Sequence, residues 1–181
     1  MKKFIKELIP YIIIFIIVVI IRTFIVTPVT VVGSSMYPTL KDGEILLLSK
    51  ISYKLNDVER FDVVVIKEND WIIKRVIGLP GDNVYYRENK LYINEELVED
   101  KYADGITNDF DLDDIWQAGK SEGKKDFEEP FDTIPEGYYL VLGDNRGISK
   151  DSRSVGLIPI DEIKGKAVVR FWPLTKISMV K

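Results

Sequence analysis

At 181 residues the chain holds one ordinary domain plus accessories, and with neither cysteine nor histidine it excludes disulfides, thiol nucleophiles, cysteine zinc sites and imidazole catalysis. Only four of its 25 basic and one of its 29 acidic residues precede Pro28, so the remainder carries a net charge of −7, which excludes the basic face a nucleic-acid partner demands. Catalysis in such a chain has to run on carboxylates, lysine, tyrosine or hydroxyls.

In chain order, the first element is apolar. Residues 8–26 (LIPYIIIFIIVVIIRTFIV) carry Arg22 as their only charge, and they match the roughly twenty residues a helix needs to cross the hydrocarbon of a bilayer. Lys2, Lys3 and Lys6 precede the run, so the positive-inside rule assigns residues 1–7 to the cytoplasm and residues 27–181 to the outside. A cleavable secretory signal shares the basic start and apolar core. Here, however, no A-x-A-like site follows and the run exceeds a usual signal core, so the expectation is an uncleaved single-pass anchor in the cell membrane. Arg22, near the outer end, is placed to snorkel to the headgroups.

Short β-type runs with turn signals follow, at residues 29–32, 44–48, 62–66, 71–77, 84–87, 90–93, 137–142 and 166–171. Pro-Gly-Asp at 80–82 and Asn-Lys at 89–90 supply turns. Outside the anchor the sequence predicts no amphipathic helix, only a single turn at 161–164. The pattern predicts a mainly β domain, an antiparallel coiled sheet or barrel.

Residues 99–132 break it, with twelve acidic side chains against four basic and little periodicity. Their composition predicts a solvated, flexible insertion. Asp109, Asp111, Asp113 and Asp114 are spaced closely enough to suggest calcium, but the central Gly and terminal Glu of a calcium loop are missing, so no metal and no cofactor is expected.

Three stretches carry candidate chemistry. GSSMYPTL at 33–40 sets two serines beside Met36, Tyr37 and Pro38, an odd composition for either a linker or a core strand. In DWIIKRVIG at 70–78, strand alternation puts Ile72, Lys74 and Val76 on one face and Trp71, Ile73, Arg75 and Ile77 on the other. A lysine between Ile and Val is a candidate for burial, which depresses its pKa and frees a neutral amine. Taken alone, the strand better fits a lysine that blunts a sheet edge and points to water. GDNRGISKDSR at 143–153 reads by itself as a well hydrogen-bonded loop, yet it offers Ser149 to orient an amine and Asp144, Asp151 and Arg153 to form ion pairs together with Arg75.

Taken together, GSSMYPTL, IIKRVIGLPGD and GDNRGISKDSR, in this order behind one N-terminal anchor, resemble the boxes of the type I signal peptidases (leader peptidases), of the short Gram-positive kind with a Ser-Lys dyad. The likeness runs from the anchor to about Arg170, interrupted by the acidic insertion. It implies a β-rich catalytic domain on a membrane anchor, with Ser35 as nucleophile, Lys74 as general base and Ser149 as the lysine-orienting hydroxyl. Asp144, Asp151, Arg75 and Arg153 correspond to the bracing residues. Gram-negative members have a serine two positions before the nucleophile that helps bind the oxyanion. Here that position is Gly33, which leaves the backbone amide of Ser35, with Ser34 as an accessory. ERFDVVV at 59–65 resembles a family strand with Gly in place of Phe61.

The resemblance further implies removal of signal peptides from exported preproteins through an acyl-enzyme, near the secretion translocon, with small residues at −1 and −3. By position, Val31, Met36, Leu40, Ile72 and Ile73 are candidate pocket residues, and ordinary β core is the competing reading of all five. Alternatives are a membrane-anchored relative that binds signal peptides without cutting, or a specialised Ser-Lys processor such as a pilin protease. A Ser-x-x-Lys acyltransferase fails, because the third position after Ser35 is Pro38.

Overall fold

Runs of Val, Ile, Leu and Tyr punctuated by Gly, Pro and Asn favour strands over helices. The computed structural model, which describes residues 2–20, 22, 25–67, 70–124 and 126–180, is built on them. The strands are β1 Val26–Thr30, β2 Ile45–Ser49, β3 Val63–Lys67, β4 Trp71–Gly78, β5 Val84–Arg87, β6 Lys90–Ile93, β7 Glu96–Val98, β8 Tyr138–Leu142, β9 Ile158–Pro159, β10 Ile163–Trp172 and β11 Ser178–Met179. The helices are α1 Lys2–Ile20, α2 Ser52–Leu55, α3 Leu112–Ser121 and α4 Ser152–Val155.

One large sheet runs in the order β1-β2-β10-β3-β4-β8-β9, with β11 also on β10, and β5-β6-β7 form a second, three-stranded meander. Among the described residues every pairing between these strands is antiparallel. Register breaks between Ile163 and Gly165, between Val76 and Gly78, and twice along the β10–β2 ladder add local twist, so the large sheet curls as expected of a coiled, barrel-like sheet. Gly165 sits at φ +151°, and a β-carbon there would collide with the carbonyl of Ser49 on β2, so this close approach of strands requires glycine.

The two faces of β4 bury different material. Ile72 and Val76 pack with Val58, Val64, Ile66, Val141, Ile158 and Ile163. Ile73 packs on the opposite side with Val31, Met36, Leu40 and Leu46, and Ile77 joins a third cluster with Val84, Tyr86, Leu91 and Leu140. This is the alternation read from the sequence, here in a central strand covered on both faces.

Three expectations change. The apolar N-terminal element does not run to residue 26 as one helix. α1 is described from Lys2 to Ile20, residues 22 and 25 are π-helical, and Val26 already pairs with Ser49 as the first residue of β1. Residues 21, 23 and 24 of the expected span lie outside the described residues. Lys3, Lys6 and Glu7 fall within α1, so its uninterrupted apolar part in the described helix is residues 8–20, about 20 Å at the α-helical rise. Among the described residues no helix is long and apolar enough to cross a membrane.

Second, the acidic insertion contains a helix. In α3 the carboxylate of Asp111 accepts from the amides of Asp113 and Asp114, while Asp114 reaches back to the amide of Asp111, a reciprocal capping box. Leu112, Ile115 and Gly119 lie buried on one stripe, and Phe110, Leu112 and Ile115 belong to the same core as β5 and β6. The aspartates that suggested calcium are engaged locally. Asp109 accepts from the amide of Glu88, and Asp113 accepts from Gln117. Third, Phe61, where the resembling strand would have Gly, adopts φ +69°. That is a left-handed conformation glycine enters freely and phenylalanine does not.

Candidate active site

Lys74 is held by the middle of the large sheet. It pairs with Val64 on β3, and its residue is only 3% exposed. On the other side β4 pairs with β8 as Val76 to Val141 and Arg75 to Leu142; one further step in that register sets Lys74 opposite Gly143. The strand is internal, so the sheet-edge reading of this lysine does not hold. Burial pulls the ammonium pKa below its ordinary 10.5, Asp151 opposes the shift, Arg153 adds to it, and Asp144 opposes it more weakly.

Gly143 is where the three motifs meet. A β-carbon at this position would overlap the Oγ of Ser149 and the carbonyl oxygen of Ser35, so both groups press against a bare α-carbon. The Ser149 hydroxyl is buried and makes no hydrogen bond among the described residues. Ser35 itself is half-buried, Ser34 and Gly33 are exposed, and the turn is closed by Tyr37 N–H on the carbonyl of Ser34 (3.1 Å) and Leu40 N–H on that of Met36 (2.8 Å). Gly33 takes φ +81°, and its amide donates to Asp42 Oδ1 at 2.7 Å, so this donor is committed away from the serines. Arg170 clamps the end of the turn through the carbonyl of Thr39 (3.3 Å) and the carboxylate of Glu44 (3.0 Å).

The bracing residues expected from the sequence form two ion pairs. Arg75 and Asp144, both with fully buried side chains, join through Nε–Oδ1 (2.8 Å) and Nη2–Oδ2 (2.7 Å). Arg75 also donates to the carbonyl of Phe61 (2.8 Å) and stacks its guanidinium 3.7 Å from the Tyr102 ring centre. Asp151 receives Arg153 through Nε and Nη2, both at 2.8 Å, and accepts the amide of Gly143 at 3.0 Å. The carboxylate that polarises Lys74 therefore also fixes the glycine opposite it.

Of the candidate pocket residues, Val31, Met36, Leu40 and Ile73 are buried together in one cluster, and Ile72 is half-buried on the other face of β4. Beside Ser149 a solvent-open cleft of about 550 Å³ is lined by Arg146, Gly147, Arg153 and Ser154, with Ile106, Asn108 and Asp109 among its other walls.

Three residues near this centre escaped the sequence reading. Arg146, buried, donates through Nε to the carbonyl of Gly143 (2.9 Å) and through Nη1 to the Tyr86 hydroxyl (2.6 Å), and it pairs with Asp100 at 2.7 Å; Tyr86 in turn donates to Asp100. Asn145 donates its backbone amide to the carbonyl of Ser35 (3.0 Å) and its side-chain amide to that of Ser34 (3.2 Å). Both lie inside the GDNR run, but their partners are too distant in sequence for any local signal to reveal them. Asp100, the third, lies at the start of the acidic insertion.

The profile of the family described as signal peptidase, peptidase S26, matches residues 2–172. Signal peptidase IB of Staphylococcus aureus (strain Mu50) is 41% identical over 186 residues, covering 97% of this chain and 93% of its own. Signal peptidase I of Streptococcus pneumoniae (strain R6) is 39% identical over 202 residues, with 98% and 97% covered. A crystal structure of a signal peptidase I from Enterococcus faecalis V583 aligns with 61% of this chain and 97% of that one, at 32% identity and a TM-score of 0.48. With nearly its whole length matched in sequence, this chain belongs to the signal peptidase family, peptidase S26, a family of serine peptidases.

Proposed function

We propose that the chain removes signal peptides from exported preproteins with Ser35 as nucleophile and Lys74 as general base. The observation that carries this reading is the packing at Gly143, where the carbonyl of Ser35 and the hydroxyl of Ser149 press on the place a β-carbon would take, directly after the strand that pairs with the one bearing buried Lys74. With its pKa depressed by burial, Lys74 is available as a neutral amine. It takes the proton of Ser35 as the hydroxyl oxygen adds to the scissile carbonyl carbon. The amine leaving group departs with that proton, and an acyl-enzyme remains. Water, deprotonated by the same lysine, then releases the signal peptide acid. Ser149 steadies the amine, and the Arg75–Asp144 and Arg153–Asp151 pairs hold the loop that carries it.

The Ser35 amide serves as oxyanion donor, with Ser34 as accessory, and the cluster of Val31, Met36, Leu40 and Ile73, together with Ile72, walls the positions for small residues at −1 and −3. The apolar run beginning at Leu8 anchors the chain in the bilayer with its lysines inside. All of its described residues from Leu8 to Ile20 are exposed, as a lipid-facing helix requires. Ser35 follows within a few residues of β1, close to where a membrane-held signal peptide presents its cleavage site beside the translocon.

The test is processing of a preprotein by wild-type, Ser35→Ala and Lys74→Met protein, with the new N-terminus sequenced. Ser35→Ala and Lys74→Met should both fall to background, and the wild-type rate should climb with pH through the lowered lysine pKa. Full activity in either variant, or a rate flat from acid to alkaline pH, would sink the dyad. Ile73→Ala should in addition widen the residues accepted at −1 and −3.

A further inference from the structure

The S26 site as described leaves its oxyanion donor without a visible means of alignment. Gly33 contributes no side chain, and its amide is held by Asp42. The Ser35 N–H makes no hydrogen bond among the described residues. That N–H belongs to the peptide unit that joins Ser34 to Ser35, and the oxygen of the same unit is the Ser34 carbonyl. In a planar trans peptide the N–H and C=O point in opposite directions, so whatever fixes the oxygen aims the hydrogen. Two donors fix it here. Tyr37 N–H reaches it from within the turn at 3.1 Å, and Asn145 Nδ2 reaches it from across the site at 3.2 Å.

The next peptide unit is held by the same residue, because the backbone amide of Asn145 donates to the Ser35 carbonyl at 3.0 Å. One residue thus grips two consecutive carbonyls, on either side of the nucleophile. Its own position is set from behind. Asp104 N–H donates to the carbonyl of Asp144 (2.7 Å), and Arg146 N–H donates to that of Asp104 (3.1 Å). The insertion's first residues therefore strap the loop that carries Asn145.

We infer that Asn145 is a positioning residue that aims the Ser35 amide at the transition-state oxyanion by holding the Ser34 carbonyl from the far side. Hydrogen bonding to that carbonyl also polarises the peptide and strengthens its N–H as a donor. The contact is exposed in the free protein. In this way the chain meets the need created by Gly33 without a second hydroxyl.

The inference rests on Ser35 as nucleophile, so the experiment carries Ser35→Ala beside Asn145→Ala and Asn145→Asp in the full-length chain, reconstituted in vesicles with a preprotein. Direct loss of an oxyanion donor lowers kcat by about a hundredfold or more, and misaiming one should cost about tenfold to a hundredfold. Asn145→Ala should show that loss in kcat, with KM and the pH midpoint of the rate unmoved. Asn145→Asp, which sets a carboxylate against the Ser34 carbonyl, should lose at least as much. A peptide aldehyde, whose carbonyl carbon bonds to Ser35 Oγ while its oxygen takes the π electrons, should weaken by the same factor as kcat. The matching peptide alcohol, which forms no oxyanion, should bind as before. Wild-type kcat in Asn145→Ala, equal weakening of aldehyde and alcohol, or a shifted pH midpoint would overturn the inference while leaving the dyad standing. Activity in Ser35→Ala would overturn the dyad instead.

Discussion

Lys74 concentrates the conflict between stability and chemistry in one side chain. Folding buries its amine, and burial lowers its pKa below 10.5. Between the folded and unfolded values the unfolded chain binds more protons, so stability rises with pH across that window. The destabilisation is complete below the folded pKa and fades as pH approaches 10.5. Lys74→Met removes it and leaves no carboxylate stranded, since Asp151 keeps Arg153 and Asp144 keeps Arg75. Lys74→Met should therefore unfold at higher temperature or denaturant than wild type at pH 7, with the gap closing toward pH 10. A variant less stable at pH 7, or a gap that does not change with pH, would contradict this account. At this scale Ser35, Lys74 and Ser149, the proposed site, were singled out because three weak motifs occurred together. Asn145 was not, although it sits in one of them, because its partner Ser34 is 111 positions away. Phe61 was legible only as an oddity, and its φ of +69° gives the physical content of that oddity.

Among the elements, the strands were readable to within a few residues because β-branched runs and turn residues are local signals. Strands β7, β9 and β11, two or three residues long, offered too little of either and were missed. Helix α3 was missed for a different reason. Its aspartates looked like solvated charge, but Asp111 and Asp114 spell a capping box, and only the narrow stripe of Leu112, Ile115 and Gly119 faces the core. That stripe ends on α4, the short helix capped by Asp151. Gly156, just past α4, sits at φ +79° and ψ −169°, a region almost reserved for glycine. A β-carbon there would lie 2.6 Å from Gly119 Cα, whereas one on Gly119 would lie 3.4 Å from Gly156 Cα, close to ordinary contact. Gly156→Ala should therefore cost about 1–3 kcal/mol from strain alone and more from the clash. It should also slow catalysis through the displaced Asp151. Gly119→Ala, which gains up to about 1 kcal/mol of helix propensity, should stay near wild type. Denaturant midpoints and turnover of the two variants check this, and equal effects would mean that the helices do not meet at this glycine pair.

At the scale of the molecule the class of fold was legible and its topology was not. Nothing local announces that β10, from the last twenty residues, inserts between β2 and β3, because those pairings bridge from 97 (Ile163 to Ile66) to 127 (Trp172 to Ile45) positions. The β1–β2 pairing makes a sharp prediction about where the N-terminal helix and the β domain separate. β1 starts at Val26 and lies on β2 through five residue pairs, with Val29 packed against the cluster that holds Val31, Met36 and Ile73. A chain shortened by residues 1–20 keeps all of these contacts. It should fold, hydrolyse a soluble signal-sequence peptide at close to the full-length rate, and fail to float with vesicles. A chain shortened by residues 1–30 loses β1, bares the edge of β2 and uncovers the core beneath the Ser35 turn, so it should lose peptide hydrolysis as well. Circular dichroism, vesicle flotation and initial rates on the soluble peptide distinguish the two truncations. Retained flotation in the shorter deletion would show that the apolar run is not the anchor. Full peptide hydrolysis in the longer one would show that β1 does not support the active turn.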